Sequence, residues 1–330
     1  YLNVKDALVK LDWSISDSQR AMLRYTRTKQ DEPIFPNFGV RALSLSSNWY
    51  TQQKSLDTAV AQLFSDWSPS FSTEVRASYR DYKSEPKNNS TLPQMAFDVD
   101  GTFNGSGTQR TLFTGTERSR HFNKLFTKTV DGFLGGNWTL GSHELKFGGE
   151  FSQNKIYNAF LQDAYGQYKF QCESAYTYTT PLVTATGAAA TCATATQATI
   201  EAAIVENFRL GRASAYQAQL ALPGKTLDDG VAKWNLNNYG LFLQDTWTLA
   251  PKVTISAGAR VDLISMPDKP VANAAAAAPV VAGVVTGRGT GTRQTGGFGY
   301  DNTVTPDGDT LLQPRIGFNW DMGGKDKKLQ

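Results

Sequence analysis

The chain has 330 residues, enough for one large domain or two ordinary ones, with 40% hydrophobic residues, 12% aromatics and a formal net charge of +3. Near-balanced charge gives a nucleic-acid partner no broad electrostatic support, and low apolar content with many aromatics suits strands that are apolar on one side only. The most apolar run, Val271 to Val285, is mostly alanine and holds Asn273 and Pro279; it falls short of the roughly 20 residues a spanning helix needs and reads as a low-complexity loop.

Period-two alternation is the main signal along the chain. Tyr1-Leu2-Asn3 leads directly into a strand whose Ala7, Val9, Leu11, Trp13 and Ile15 share one face, with Asp6, Lys10, Asp12, Ser14 and Ser16 on the other. Asp17-Ser18 turns the chain, and Leu23 and Tyr25 continue the apolar face opposite Arg20, Arg24 and Thr26. A second hairpin turns at Ser68-Pro69-Ser70, and its return strand sets Phe71, Val75, Ala77 and Tyr79 against Glu74, Arg76, Ser78 and Arg80. A third turns at Gly141-Ser142. Leu134, Trp138 and Leu140 enter it, Leu145, Phe147 and Phe151 leave it, and Glu144, Lys146 and Glu150 take the opposite side. In the fourth, Tyr239, Leu241, Leu243, Trp247 and Leu249 lead to a turn at Pro251-Lys252. Val253, Ile255, Ala257, Ala259 and Val261 return, with Thr254, Ser256, Gly258, Arg260 and Asp262 facing the other way. Asp245 interrupts the apolar face near the rim, where a charge costs little. A ninth strand carries Ile316, Phe318 and Trp320 outward and Arg315, Gly317 and Asn319 inward. The final Gly323-Gly324-Lys325 reads as a turn before a further strand, so the chain reads as a section of a longer protein.

Five of the seven tryptophans, Trp13, Trp67, Trp138, Trp247 and Trp320, stand one to four residues before or beside these turns. An indole prefers the half-wet headgroup layer of a bilayer, so a row of them at one rim reads as a membrane-interface girdle. The expected fold is therefore all-β: an antiparallel up-and-down transmembrane β-barrel section of about nine strands, one partial barrel domain over 1–330. Connections on the Trp side are short, whereas those on the far side run approximately 31–42, 84–112, 161–233 and 266–309. Such alternation orients a barrel with its short turns in the periplasm and its long loops outside the cell. A short helix is expected over Ile200 to Leu210 with Gly211 as its stop. Cys172 and Cys192 lie in one long loop; a disulfide between them suits an oxidising compartment, the alternative being two idle thiols.

Candidate chemistry is sparse, and the expected catalytic, cofactor and metal sites are none. His121 near the top of a strand and His143 on a hairpin turn are too far apart to share a metal and read as exposed polar positions. Asp98-Val99-Asp100-Gly101 has part of a calcium-loop pattern without the remaining ligands and reads as a solvated loop. Gly287 to Gly299 lacks the Lys-Ser/Thr of a phosphate loop and reads as linker. The inward charges Arg20, Arg24, Arg76, Arg80, Glu144, Lys146, Glu150, Arg260, Asp262 and Arg315 would line a water-filled lumen, pairing across strands or contacting a plug or passing substrate. Loop aromatics Phe160, Tyr165, Tyr168, Phe170, Tyr176 and Tyr178 either pack the loop onto itself or bind an external ligand.

The hairpin from Asn238 to Asp262, with Tyr239, Gln244, Asp245, Trp247, Gly258 and Arg260, resembles the aromatic-x-Gln-Asp-x-Trp…Gly-x-Arg hairpin of TonB-dependent receptor barrels. Lys10 to Asp17, Leu145 to Phe151 and Gln313 to Phe318 are similar to the Oar-like branch of that family. The resemblance implies an outer-membrane receptor of about 22 strands, with lipid around it and a plug domain within. It further implies a missing N-terminal segment that contacts the TonB complex, and energised uptake of an unknown transported ligand. Neither plug nor coupling segment is present in this stretch. The competing expectations are a passive outer-membrane channel or adhesin barrel, and a soluble all-β carbohydrate-binding protein. The last would need the Leu145/Phe147/Phe151 and Val253/Ile255/Val261 faces covered by a second sheet.

Overall fold

The computed structural model describes residues 1–99, 110–284 and 292–321. In chain order its strands begin with β1 (Asn3–Ser16), β2 (Gln19–Ile34), β3 (Ala42–Ser44), β4 (Tyr50–Ser68) and β5 (Phe71–Asn88). They continue with β6 (Gln94–Asp98), β7 (Thr111–Thr114), β8 (Phe122–Leu140), β9 (His143–Leu161), β10 (Gln167–Phe170) and β11 (Ala215–Gln217). The remainder are β12 (Ala232–Ala250), β13 (Val253–Ser265), β14 (Val280–Val284), β15 (Thr292–Gly296) and β16 (Thr310–Trp320). Among the described residues the α-helices are α1 (Gln197–Arg209) and the single-turn α2 (Ala274–Ala277).

Nine of these strands form one antiparallel sheet in the order β1-β2-β4-β5-β8-β9-β12-β13-β16. Strands neighbouring in sequence are neighbours in space, the meander that alternating strands joined by tight turns must give. The turns at 17–18, 69–70, 141–142 and 251–252 are two residues long. At the third, Gly141 has φ +61°, a left-handed conformation that glycine adopts without steric cost. Register shifts beside three of the turns, at Ser14/Ser16, Asp66/Ser68 and Thr248/Ala250, are the local irregularities that increase strand twist.

On the far side the third and fourth connections, 162–231 and 266–309, fall where expected. The first spans 35–49 rather than 31–42 and the second 89–121 rather than 84–112: β4 and β8 begin later than expected, and β2 and β5 run on to 34 and 88. The reason for the run-on is polar pairing above the apolar segment: Gln53 donates to Asp31 (2.9 Å), Gln52 to Ser84 (2.9 Å), and Lys54 meets Glu32 (3.2 Å). Alternation of apolar residues marks only the greasy part of β2 and β5, so there it stops too early.

Three of the long connections are not irregular. They contribute strands to a second sheet, β11-β10-β6-β7-β3, in which β3 pairs parallel to β7 and β10 parallel to β6. Helix α1 packs there through Ile200, Ala203, Ile204 and Asn207, spaced to share one face. It ends where the Arg212 amide bonds Asn207 O (2.8 Å), the Gly211 amide bonds Phe208 O (3.1 Å) and Gly211 takes φ +66°, a Schellman stop. Phe170, Tyr178, Ile200 and Ile204 bury around the bonded Cys172–Cys192 pair. Within 271–285, expected as a plain loop, α2 is followed by β14, which pairs with β15. Parts of 98–101, of 287–299 and the terminal 323–325 lie outside the described residues.

Candidate functional site

The two faces of the large sheet carry different chemistry. Cross-strand partners share a face, so one unbroken row can be followed over all nine strands. It runs Trp13, Ala21, Leu63, Val75, Leu134, Gly149, Leu241, Val261, Leu312. Even steps along each strand reach the rest of the outer face, which is exposed and apolar: Leu11, Leu23, Leu134, Leu241, Leu243, Ile316 and Phe318 all stand free of covering structure. Among the described residues no second sheet covers the faces of Leu145/Phe147/Phe151 and Val253/Ile255/Val261, because the loop sheet sits beyond the far ends of the strands. Among the described residues the buried apolar cluster lies in the loops, not on the sheet.

The five indoles lie on this outer face or, for Trp67, in the bulge beside it. Measured from the Trp13 row, Trp67 is four residues past Leu63, Trp138 four past Leu134, Trp247 six past Leu241 and Trp320 eight past Leu312. The indoles therefore advance along the strands as the sheet is crossed, with no step between Trp67 and Trp138. Eight residues at about 3.3 Å, over eight strand spacings of about 4.8 Å, give an inclination of about 35°. That is the tilt a closed barrel needs. The far limit of the apolar face is displaced in the same sense, from Ala7 on β1 through Tyr25, Tyr79 and Val130 to Tyr239 and Leu312. Tyr25, Tyr79 and Tyr239, each about two-fifths exposed, form a second aromatic level that sequence reading placed only among the apolar residues. Between Tyr239 and Trp247 the tilted strand rises about 22 Å, close to a barrel's apolar band.

The inner face is a network of paired charges. Arg260 Nη2 donates to Glu150 Oε2 (2.8 Å), and its guanidinium meets Asp262 Oδ1 at 2.7 Å. Gln313 donates to Asp262 Oδ2 (2.5 Å), and Arg315 donates to Gln244. Asp131 accepts from Ser78 (2.7 Å) and Ser152 (2.8 Å) and pairs with Arg80 (3.2 Å). Arg20 pairs with Asp66, Arg76 with Glu74 and Lys146 with Glu144. A cleft of about 320 Å³ opens beside Arg76, Asp131, Glu150, Ser152 and Arg260. Gly240 makes room for it: a Cβ there would lie 2.4 Å from Arg260 Nη2 and 2.9 Å from Asp262 Oδ1.

The hairpin motif is split by parity. Gln244, Gly258 and Arg260 belong to the inner network, whereas Tyr239, Asp245 and Trp247 face outward. His143, expected to be an exposed polar residue, is engaged at the turn rim: its Nδ1 lies 2.7 Å from Asp245 Oδ2, and its ring stacks on Trp247 at 5.4 Å. The register brings these residues together, since His143 is the cross-strand partner of Trp247.

Two loop expectations are corrected. His121 is not exposed but 3% accessible. Its Nε2 bonds Thr116 O (3.0 Å), its Nδ1 accepts from the Tyr165 amide (3.1 Å), and its ring stacks on Tyr165 at 4.6 Å. Burial pushes its pKa below the ordinary value. Asp98 is not solvated but buried, bound by Thr111 (2.7 Å) and Lys169 (2.5 Å). Of the loop aromatics, Phe170 stacks on Phe97 (5.3 Å), Tyr168 lies against Tyr216 (4.6 Å) and Tyr178 is buried, while Phe160 and Tyr176 remain exposed.

A family model described as outer membrane beta barrel domain matches residues 2–327. No curated protein matches the chain. Among solved structures, the outer membrane transporter YddB from Escherichia coli aligns at 10% identity with TM-score 0.50, covering 97% of this chain and 29% of that one. The copper transporter OprC aligns at 11% identity, TM-score 0.45, 96% and 34%. The closed form of the ferric-catecholate import receptor Fiu from E. coli K12 aligns at 12%, TM-score 0.43, 97% and 40%. At such identity the YddB likeness is one of fold, and the chain spans less than half the length of each of these structures.

Proposed function

The chain belongs to the outer membrane beta barrel domain family, and from that premise we propose that it is a wall section of a TonB-dependent receptor of the Oar-like branch. In this reading the remaining strands pair with the free edges of β1 and β16, and a plug domain fills the lumen. The Trp rim faces the periplasm, where a coupling segment contacts the TonB complex. The long loops face outward and take an unknown ligand that the energised receptor passes inward.

The observation that carries the reading is the inner face. Charged groups such as Arg260, Glu150, Asp262 and Arg80 lie along a wall whose other side is apolar, and a surface of that polarity needs water or a polar plug against it. The Gln244-Asp245-x-Trp247 hairpin adds support, since its polar half builds that network and its aromatic half faces the lipid. A passive channel would share both features and differ in lacking a plug. Ion conductance of the full-length protein in planar bilayers separates the two: a plugged receptor gives no steady current, and a persistently open pore would refute energised transport. Cross-linking of the intact protein to TonB in cells supplies the positive arm.

A further inference from the structure

Above the apolar band the outer face becomes cationic. Cross-strand pairing sets Lys5, Lys29, Ser55, Lys83, Phe126, Tyr157 and Lys233 in one row over seven strands. The adjoining row, nearer the band, runs Ala7, Arg27, Asp57, Asp81, Lys128, Lys155, Asn235. Lys5, Arg27 and Lys128 stand two residues beyond Ala7, Tyr25 and Val130, and Lys83 and Lys155 four beyond Tyr79 and Phe151. Those steps are about 7–13 Å of strand, the depth of a headgroup layer over the hydrocarbon edge.

Folding alone gives no reason for this arrangement. Lys5 is directly opposite Lys29, and Lys128 directly opposite Lys155, a like-charge placement that destabilises a sheet. The acids on this face, Glu85 apart, are already engaged. Asp57 accepts from Tyr25 (2.5 Å) and meets Arg27 (3.5 Å), Asp81 meets Lys83 (3.7 Å), and Asp31 accepts from Gln53 (2.9 Å). Asp228 holds Lys233 and accepts from Tyr157, and Asp268 accepts from Asn235 (2.9 Å). Glu85 stands one row higher, beside Lys83. Lys5, Lys29, Lys128 and Lys155 are exposed and make no ion pair among the described residues. A cleft of about 340 Å³ opens at Lys5, Lys29, Ser55 and Lys83, with Asp31 and Glu85 also on its wall, and another of about 400 Å³ at Lys128, Lys155, Tyr157 and Lys233, with Asp268 on its wall. Phe126 stacked on Tyr157 (5.4 Å) forms an apolar wall of the second.

We infer that these two lysine pairs dock the phosphorylated headgroups of the glycolipid forming the outer leaflet, one headgroup between Lys5 and Lys29 and one between Lys128 and Lys155. A phosphate carries charge enough to turn each repulsion into two charge-assisted hydrogen bonds, and its acyl chains continue down the apolar band below. The inference rests on the proposed orientation, loops outward, and not on energised transport.

The test uses full-length protein in phosphatidylcholine nanodiscs containing either bis-phosphorylated lipid A or the same lipid with its phosphates removed. Retained lipid is counted by native mass spectrometry. Wild type is expected to retain the phosphorylated form selectively. Lys5→Gln/Lys29→Gln and Lys128→Gln/Lys155→Gln should each lose retention at least about tenfold, while Lys146→Gln, on the inner face and lining neither cleft, changes nothing. Unchanged thermal stability of the paired variants establishes that they remain folded. Equal retention of both lipids, undiminished retention in the paired variants, or displacement by millimolar inorganic phosphate overturns the inference. An epitope placed at Gly224 and probed on intact cells tests orientation separately: its inaccessibility would overturn the orientation, and the lipid assignment with it.

Discussion

Leu243 states the lipid-facing argument for one side chain. It lies four residues from Tyr239 and four from Trp247, the midpoint between the two aromatic levels, and is 55% exposed on the outer face. An arginine there would have no partner and no water, at a cost of about 2–4 kcal/mol at mid-bilayer. Leu243→Arg should lower the unfolding free energy of the full protein in lipid vesicles by that amount, and a loss near zero would remove lipid contact at this site. Arg260, on the partner strand but the opposite face, is held by Glu150 and Asp262, so parity alone decides which cation the barrel tolerates. His121 makes a second residue-scale case, outside the membrane. Its Nδ1 accepts from the Tyr165 amide, so the ring must stay neutral, and burial lowers its folded pKa. The unfolded chain therefore binds the proton more readily. The stability this site contributes is complete above the unfolded value of about 6.5 and is lost as pH falls through the lower folded value. Hydrogen exchange at the Tyr165 and Gly166 amides should accelerate on acidification, beyond the intrinsic rate change, in wild type and not in His121→Asn. Equal protection at pH 7.5 and 5 in wild type would contradict it.

Among the elements, the long strands were legible and the loop sheet was not. The alternation of Ala7-Val9-Leu11-Trp13 or Tyr239-Leu241-Leu243 is a property of consecutive residues, and tight turns such as Gly141-Ser142 leave the chain one partner to choose. β3, β6 and β7 have three to five residues each and take partners from other connections, two of the pairings being parallel; no local pattern encodes that. The burial of His121 likewise depends on Tyr165, 44 positions away. Helix α1 was legible because its apolar spacing and Gly211 stop are local. The bond between Cys172 and Cys192, 20 residues apart, ties the helix-bearing loop to β10. In the chain-entropy account closing a loop of that length is worth about 3 kcal/mol. Reduction of the full protein should therefore raise protease cutting within 171–212 while leaving the membrane sheet resistant. Both thiols should accept a label only after reductant, and labelling without it would eliminate the tie.

For the molecule as a whole, the decisive quantity is the angle between hydrogen-bonded rows and the apolar band. A soluble sandwich keeps its apolar positions in register with its own second sheet, whereas here the tyrosine level shifts by two residues between Tyr79 and Tyr239 and the indoles, in the same sense, by eight over the nine strands. That displacement is what a belt fixed by a flat bilayer must show on strands tilted about 35°. The alternative, untilted strands with level rows, would leave Trp13 and Trp320 about 26 Å apart in depth. Five single-tryptophan forms of the full protein, quenched by lipids brominated at graded positions along the acyl chain, distinguish the cases. Tilt places all five indoles within about 5 Å of one depth at the hydrocarbon boundary. A progression of depths from Trp13 to Trp320 would instead mean that the band follows the rows, and that the sheet is not the wall of a tilted barrel.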